Sequence, residues 1–211
     1  MSNAILIVKT GSTLPALRHQ GDFEDWIQAA LAPAPVAVVD VEQGQPLPRP
    51  KQPRAVIVTG SPAMVSQRLA WSERTAAWLA QAVDAGTPVL GICYGHQLLA
   101  HALGGRAGPN PHGREIGTVT VELDTATART DPLFGDLPAA FAAHVTHEES
   151  ALELPAAAVR LAYNGHERHH AFRVGSCAWG VQFHPEFDAE ITRGYIFHRR
   201  HVLYREHLAA L

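Results

Sequence analysis

Cys93, His184 and Glu186 are residue types that together perform acyl transfer: a thiol nucleophile, a base to manage its proton, and a carboxylate to orient that base. Cys93 lies in TPVLGICYGHQLLAHALGG, where an apolar run meets a helical pattern across a turn flanked by Gly91 and Gly95. A nucleophile at such a junction stands clear of the sheet on a strained turn. Its sulfur lies near a helix N-terminus, where unpaired N–H groups and the dipole favour a thiolate. His184 and Glu186 occur two positions apart in VQFHPEF. On extended chain they share a face, so the carboxylate can hold one imidazole tautomer. Pro185 between them suits a strand end better than a sheet centre. An oxyanion formed on attack needs donors. The Tyr94 N–H and the turn Thr59-Gly60-Ser61-Pro62 are the candidates, a glycine there permitting close backbone approach.

The elements that must position these groups follow from periodicity. Ala4–Val8, Val36–Val41, Ala55–Thr59 and Thr87–Ile92 read as apolar strands. Helices are expected from about Asp22 to Leu31, from a Ser72 cap to about Asp84, and over Tyr94–Leu103 before the Gly104–Gly105 stop. The second helix should turn Ala76, Ala77, Leu79, Ala80 and Val83 inward. Apolar strands alternating with helices predict an α/β fold: an open, mostly parallel sheet with helices on both faces. Beyond Gly105, Gly117–Leu123, Phe141–His147, Val159–Tyr163, His170–Val174 and Ala178–Phe183 read as strands with no helix between them. They should add antiparallel strands to the sheet or form a small side sheet. A last helix is expected from Asp188 to about Ala209.

Composition excludes several classes. The 211 residues suit one domain spanning 1–211, with 46% hydrophobic and 18% charged residues. A net charge of −3 gives no footprint for nucleic acid or an anionic membrane, and no apolar stretch reaches the length of a span. With only Cys93 and Cys177, a disulfide framework is not expected and a reducing cytoplasm is. Cys177 reads as a small buried hydrophobe on a late strand. The thirteen histidines lack metal-ligand spacing, so no metal is expected and they read as solvated.

LGICYGHQLLA and GVQFHPE, in this order, resemble class I glutamine amidotransferases, in the style of the glutaminase portion of GMP synthases. The resemblance extends to Gly60, to Gly113-Arg-Glu-Ile-Gly117, to Asp131-Pro-Leu-Phe134 and to His147-Glu148-Glu149. It implies a Cys93–His184–Glu186 triad that hydrolyses the side-chain amide of glutamine through a γ-glutamyl thioester, with no cofactor. It also implies that Gln97, the backbone around Gly60 and the loop His147, Glu148 and Glu149 help hold the amino-acid end of the substrate. It implies a stand-alone amidotransferase or glutaminase that either passes ammonia to a separate synthetase subunit or releases it. Where the family often has Gly-Gly-Pro, this chain has Gly60-Ser61-Pro62. A γ-glutamyl peptidase or hydrolase acting on larger γ-glutamyl amides is the rival reading, with Ser61 and the loop Arg106–Arg114 as candidates for its exit side. A catalytically silent module on the same fold is opposed by the complete triad. A related protease group with histidine after the nucleophile is opposed by Tyr94.

Overall fold

The computed structural model describes residues 4–206. A nine-stranded sheet carries the order β2-β1-β3-β4-β11-β10-β9-β6-β7. Its first half, β1 (Ile5–Lys9), β2 (Val36–Asp40), β3 (Ala55–Val58) and β4 (Val89–Ile92), is parallel, and β11 (Ala178–Val181) joins β4 in parallel. The rest, β10 (Ala171–Val174), β9 (Ala158–Tyr163), β6 (Glu115–Leu123) and β7 (Ala140–His147), is antiparallel. The α/β expectation is met. Both forms expected of the second half also occur, because β5 (Arg106–Pro109) and β8 (Glu149–Glu153) pair in a separate two-stranded sheet.

The strands bury both faces. Leu6, Val8, Val56 and Val58 face a cluster with Trp78, Leu79 and Ala82 of α2 (Ala70–Asp84) and Leu98 and Leu99 of α3 (Tyr94–Ala102). Ile7, Ile92 and Val181 face the opposite cluster, which holds Ile27 of α1 (Phe23–Leu31). Alternation with both sides apolar produces the continuous hydrophobic runs of the parallel strands. A third cluster joins Leu17 and Phe23 to Phe187 and to Ile191, Tyr195 and Leu203 of α5 (Ala189–Arg205). α1 begins in a reciprocal capping box between Asp22 and Asp25, and a short α4 covers Thr125–Ala128.

Several local expectations are corrected. Ser72 does not cap α2: the helix starts at Ala70 after Leu69, and Ser72 is buried inside it. Its inward face is Thr75, Ala76, Trp78, Leu79 and Ala82, whereas Ala77 is exposed. The N-cap lies three residues earlier than expected, at Leu69, and which stripe is buried is set by how α2 docks on β3, β4 and α3. Cys177 lies half-buried in the turn before β11 rather than on the strand. α5 ends at Arg205, and the expected continuation over 207–209 lies outside the described residues. The expectation of solvated histidines fails for His96, His147, His169, His170 and His184, all buried. His96 packs on the Phe172 ring at 4.8 Å, and burial pushes its pKa down to about 3, leaving the ring neutral.

Candidate active site

The β4–α3 junction is a strained elbow. Cys93 has φ 53° and ψ −102°, a conformation that costs a non-glycine residue about 1–3 kcal/mol and persists only where its surroundings impose it. Those surroundings are backbone. A Cβ on Gly91 would stand 2.3 Å from the Gly95 carbonyl oxygen, and one on Gly95 would stand 2.5 Å from that of Val58. Without side chains at either position, α3 rests directly on the ends of β3 and β4. The Cys93 N–H donates to Val181 at 2.8 Å and the Gly95 N–H to Thr59 at 3.2 Å. The Tyr94 N–H, first in its helix, has no backbone acceptor among the described residues.

His184 arrives beside this elbow because β11 pairs in parallel with β4, Val181 opposite Ile92. Both strands therefore discharge their following residues at the same sheet edge. The strand stops at Val181, two residues earlier than expected, and Pro185–Glu186 form a turn. The closeness of His184 and Glu186 thus comes from a turn rather than from a shared strand face. The His184 Nδ1–H donates to Glu186 Oε1 at 2.8 Å. The remaining atoms, His184 Nε2 and Glu186 Oε2, are buried without a partner among the described residues. Burial alone would lower the His184 pKa, but the Glu186 carboxylate and then the Cys93 sulfur outweigh it and raise it to about 10, although no well-formed hydrogen bond closes between Nε2 and the sulfur. Phe187 stacks on the imidazole at 4.0 Å between centroids, and Phe23 lies nearly parallel at 6.0 Å.

The loop after β3 is pinned by Thr10, whose hydroxyl bonds the Thr59 and Gly60 carbonyls at 3.0 and 3.1 Å. A Cβ on Gly60 would stand 3.1 Å from His184 Cε1, so the glycine makes room for the ring. Ser61 follows and borders Cys93 on both sides. The Tyr94 side chain points away into the core, its hydroxyl 2.6 Å from Ser72 Oγ. Burial pushes its pKa up to about 12, so the residue offers the site its backbone alone.

Two hollows meet at Cys93. One, of about 40 Å³, is bordered by Ser61, Tyr94, Gln97, His147, Glu148 and Glu149, together with Met64, Arg114 and Arg199. It shares Met64, Arg114, Glu148 and Glu149 with an adjoining cleft of about 480 Å³. The other, of about 30 Å³, is bordered by His184, Phe23, Tyr195, Ser61 and Arg199. Of the expected exit-side residues only Ser61 borders the His184 hollow; Arg114 borders the other, and Arg106 lies away on β5, paired with Glu153.

The expected substrate residues are held firmly by the protein. The Gln97 amide donates to the Glu149 carbonyl at 2.7 Å and to Gln182 Oε1 at 3.0 Å. His147 donates through Nδ1 to the Glu149 carbonyl at 2.9 Å, and its Nε2 lies 3.0 Å from Glu115. Burial would raise the Glu115 pKa, but hydrogen bonds with His147 and Asn164 and the close His170 ring hold it well below the usual carboxylate range. Glu115, within the Gly113–Gly117 segment, thereby holds His147 at the end of β7. Glu149 accepts the Ser66 N–H at 3.2 Å, and Glu148 pairs with Arg114. Asp131, in the Asp131–Phe134 segment, is buried, accepts the Trp179 Nε1–H at 3.2 Å and forms an ion pair with Arg173 at 2.9 Å. No group of three or more His, Cys, Asp or Glu suited to a metal ion occurs among the described residues. None of their helices is long and apolar enough to cross a membrane.

Arg199, Thr146, Phe23 and Tyr195 border Cys93 and were not legible as site residues. Arg199 is one of several basic residues in α5, and nothing in its spacing separates it from Arg193, Arg200 or Arg205.

Comparison with known proteins agrees with this geometry. The model of the family Glutamine amidotransferase class-I matches residues 21–202. A GMP synthase [glutamine-hydrolyzing] of Thermomicrobium roseum is 35% identical over 150 residues, 69% of this chain and 26% of its own length. One from Clostridium novyi is 30% identical over 87% of this chain and 33% of its own. Gamma-glutamyl peptidase 5 of Arabidopsis thaliana is 34% identical over 51% of this chain and 43% of its own. The chain thus spans about a quarter to a third of the GMP synthases it matches. Two solved structures share the fold: a glutamine amido transferase from Methylobacillus flagellatus (TM-score 0.77, 24% identity, 93% of this chain and 76% of that one) and a glutamine amidotransferase from Thermotoga maritima (0.77, 21%, 99% and 87%). An elbow cysteine facing a histidine–glutamate pair, on a sheet of this order and under a family model that covers most of the chain, makes this protein a member of the class I glutamine amidotransferase family.

Proposed function

We propose that Cys93, His184 and Glu186 hydrolyse the side-chain amide of glutamine. The observation that carries this reading is the strained Cys93 elbow beside a buried His184 already bonded to Glu186 at 2.8 Å. The Cys93 thiolate attacks the amide carbon. The tetrahedral oxyanion is met by the Tyr94 N–H and by the backbone at Gly60 and Ser61, each donor being worth about 2.7–4 kcal/mol of barrier. The His184 imidazolium, stabilised by Glu186, gives its proton to the departing nitrogen, and ammonia leaves. Water then attacks the γ-glutamyl thioester while His184 takes its proton, and glutamate departs to regenerate the thiolate. No step calls for a cofactor. Gln97, His147, Glu148 and Glu149 shape the hollow that receives the amino-acid end.

The position of the His184 hollow supports ammonia as the leaving group: it lies beside the imidazole that protonates the departing nitrogen, and at about 30 Å³ it is far smaller than the 480 Å³ cleft that continues the Gln97 hollow. The likeness to a γ-glutamyl peptidase supports the second reading, in which this hollow opens outward for a larger amine. In the leading reading the 211 residues act as one catalytic domain in the cytoplasm and hand ammonia to a separate synthetase subunit. Steady-state kcat/KM on glutamine, γ-glutamyl dipeptides and glutathione separates the two. A clear preference of the chain alone for the dipeptides would replace the first reading with the second, and stimulation of glutamine hydrolysis by a synthetase partner would support the first.

A further inference from the structure

Arg199 is a half-buried cation with no close anionic partner among the described residues. It reaches from α5 to the point where both hollows meet at Cys93. Its Nε is buried with no hydrogen-bond partner among the described residues. The nearest carboxylate is Glu148, 3.9 Å from Nη1, at the limit of an ion pair. Arg114 nearby is the contrast: its guanidinium is spent on Glu206, at 2.9 and 3.2 Å, and on Glu148. With a side chain 24% exposed and its carboxylate neighbour at 3.9 Å, the guanidinium is only weakly compensated, and a ligand anion would complete its pairing. Its planar fork matches a carboxylate.

We propose that Arg199 binds the α-carboxylate of the glutamyl substrate, with Glu148 beside it facing the α-ammonium. The assignment rests on the reading that Cys93 attacks a γ-glutamyl amide. The acyl half of such a substrate carries both charges a few bonds from the attacked carbon. Its place is the Gln97 hollow, because the His184 hollow takes the leaving group. That hollow continues past Glu148 into the 480 Å³ cleft, which has room for the amino-acid end. The opposite charges of Arg199 and Glu148 then read the zwitterion, and Arg199 sets specificity without taking part in proton transfer.

The test compares kcat/KM on glutamine and on its α-amide, L-glutaminamide, which keeps the scissile group and lacks the carboxylate. The unaltered chain should favour glutamine by roughly 10- to 150-fold, the range for a hydrogen bond to a charged group. Arg199→Met should lower glutamine kcat/KM by that factor, mostly through KM, so that the two substrates become equivalent. Arg199→Lys, which keeps the charge but not the fork, should recover part of the preference. Equal loss on both substrates, or a preference that survives Arg199→Met, overturns the assignment. Calorimetric binding to the Cys93→Ala chain separates this from the catalytic reading. Glutamine binding that depends on Arg199, in a chain whose Cys93 form has no amidase activity, removes the catalytic reading and keeps the assignment. Absent binding, or equal binding of glutamine and its α-amide, removes the assignment.

Discussion

Gly60→Ala tests whether the space around His184 is set by the loop after β3. The added methyl would stand 3.1 Å from His184 Cε1, and 3.2 and 3.4 Å from Cε1 and Cζ of Phe23. Comfortable carbon contacts begin at about 3.5–4.0 Å, so the rings must yield by roughly 0.4–0.9 Å. The imidazole cannot retreat freely, because Phe187 stacks on it at 4.0 Å and Glu186 holds Nδ1. Gly60 is not among the glycines with positive φ, so the cost is steric rather than conformational. Overpacking of this size costs about 1–3 kcal/mol, which in a domain of this size lowers Tm by about 2–12 °C. Because misplacement by about 1 Å can cost 10²-fold, kcat on glutamine should fall about 10- to 100-fold. Gly165→Ala, whose methyl would meet nothing within 4 Å, is the control and should leave kcat and Tm unchanged. A folded Gly60→Ala protein with kcat within about twofold of the parent would refute the packing argument.

Cys93→Ala should abolish turnover and keep the fold, and Cys93→Gly should melt higher than Cys93→Ala, because glycine relieves a φ of 53° that costs about 1–3 kcal/mol; the reverse order by calorimetry would remove the strain. Because the His184 pKa is raised to about 10, its contribution to stability is fully present below about 6.5 and lost as pH rises towards 10. Glu186→Gln should flatten the fall in Tm across that window, and identical Tm–pH profiles would show that Glu186 does not hold the imidazolium. Tyr94→Phe breaks the buried 2.6 Å bond to Ser72 at a cost of about 1–3 kcal/mol yet should retain most activity. A loss of activity with unchanged stability would mean that the hydroxyl, and not only the backbone, serves the site.

The elbow was legible because its determinants are local. An apolar run, two flanking glycines and a helical pattern lie within one short segment, and the φ of Cys93 follows from contacts its neighbours make with one another. The parallel half of the sheet was legible for a related reason, since strands buried on both faces must be apolar throughout. The start of α2 was misread because Ser72 has the right type for a cap but spends its hydroxyl on Tyr94, a partner chosen by packing between two helices. β5 and β8 escaped notice because both are short, and Arg106-Ala-Gly-Pro109 has neither alternation nor strand-forming side chains; pairing with each other makes them strands.

The sequence by itself determined which residues could do chemistry and that Cys93 would sit on a strained strand–helix turn. Only the tertiary structure decided that β11 lies beside β4, which brings a distant His184 to that turn and buries it between Glu186 and Phe187. The same holds for Arg199, one basic residue among several in α5, distinguished only by the face its helix turns towards Cys93. Residue type and local spacing are carried by the chain. Which side of a helix meets a site formed by strands far away in sequence depends on how the whole sheet is covered, and no local pattern encodes it.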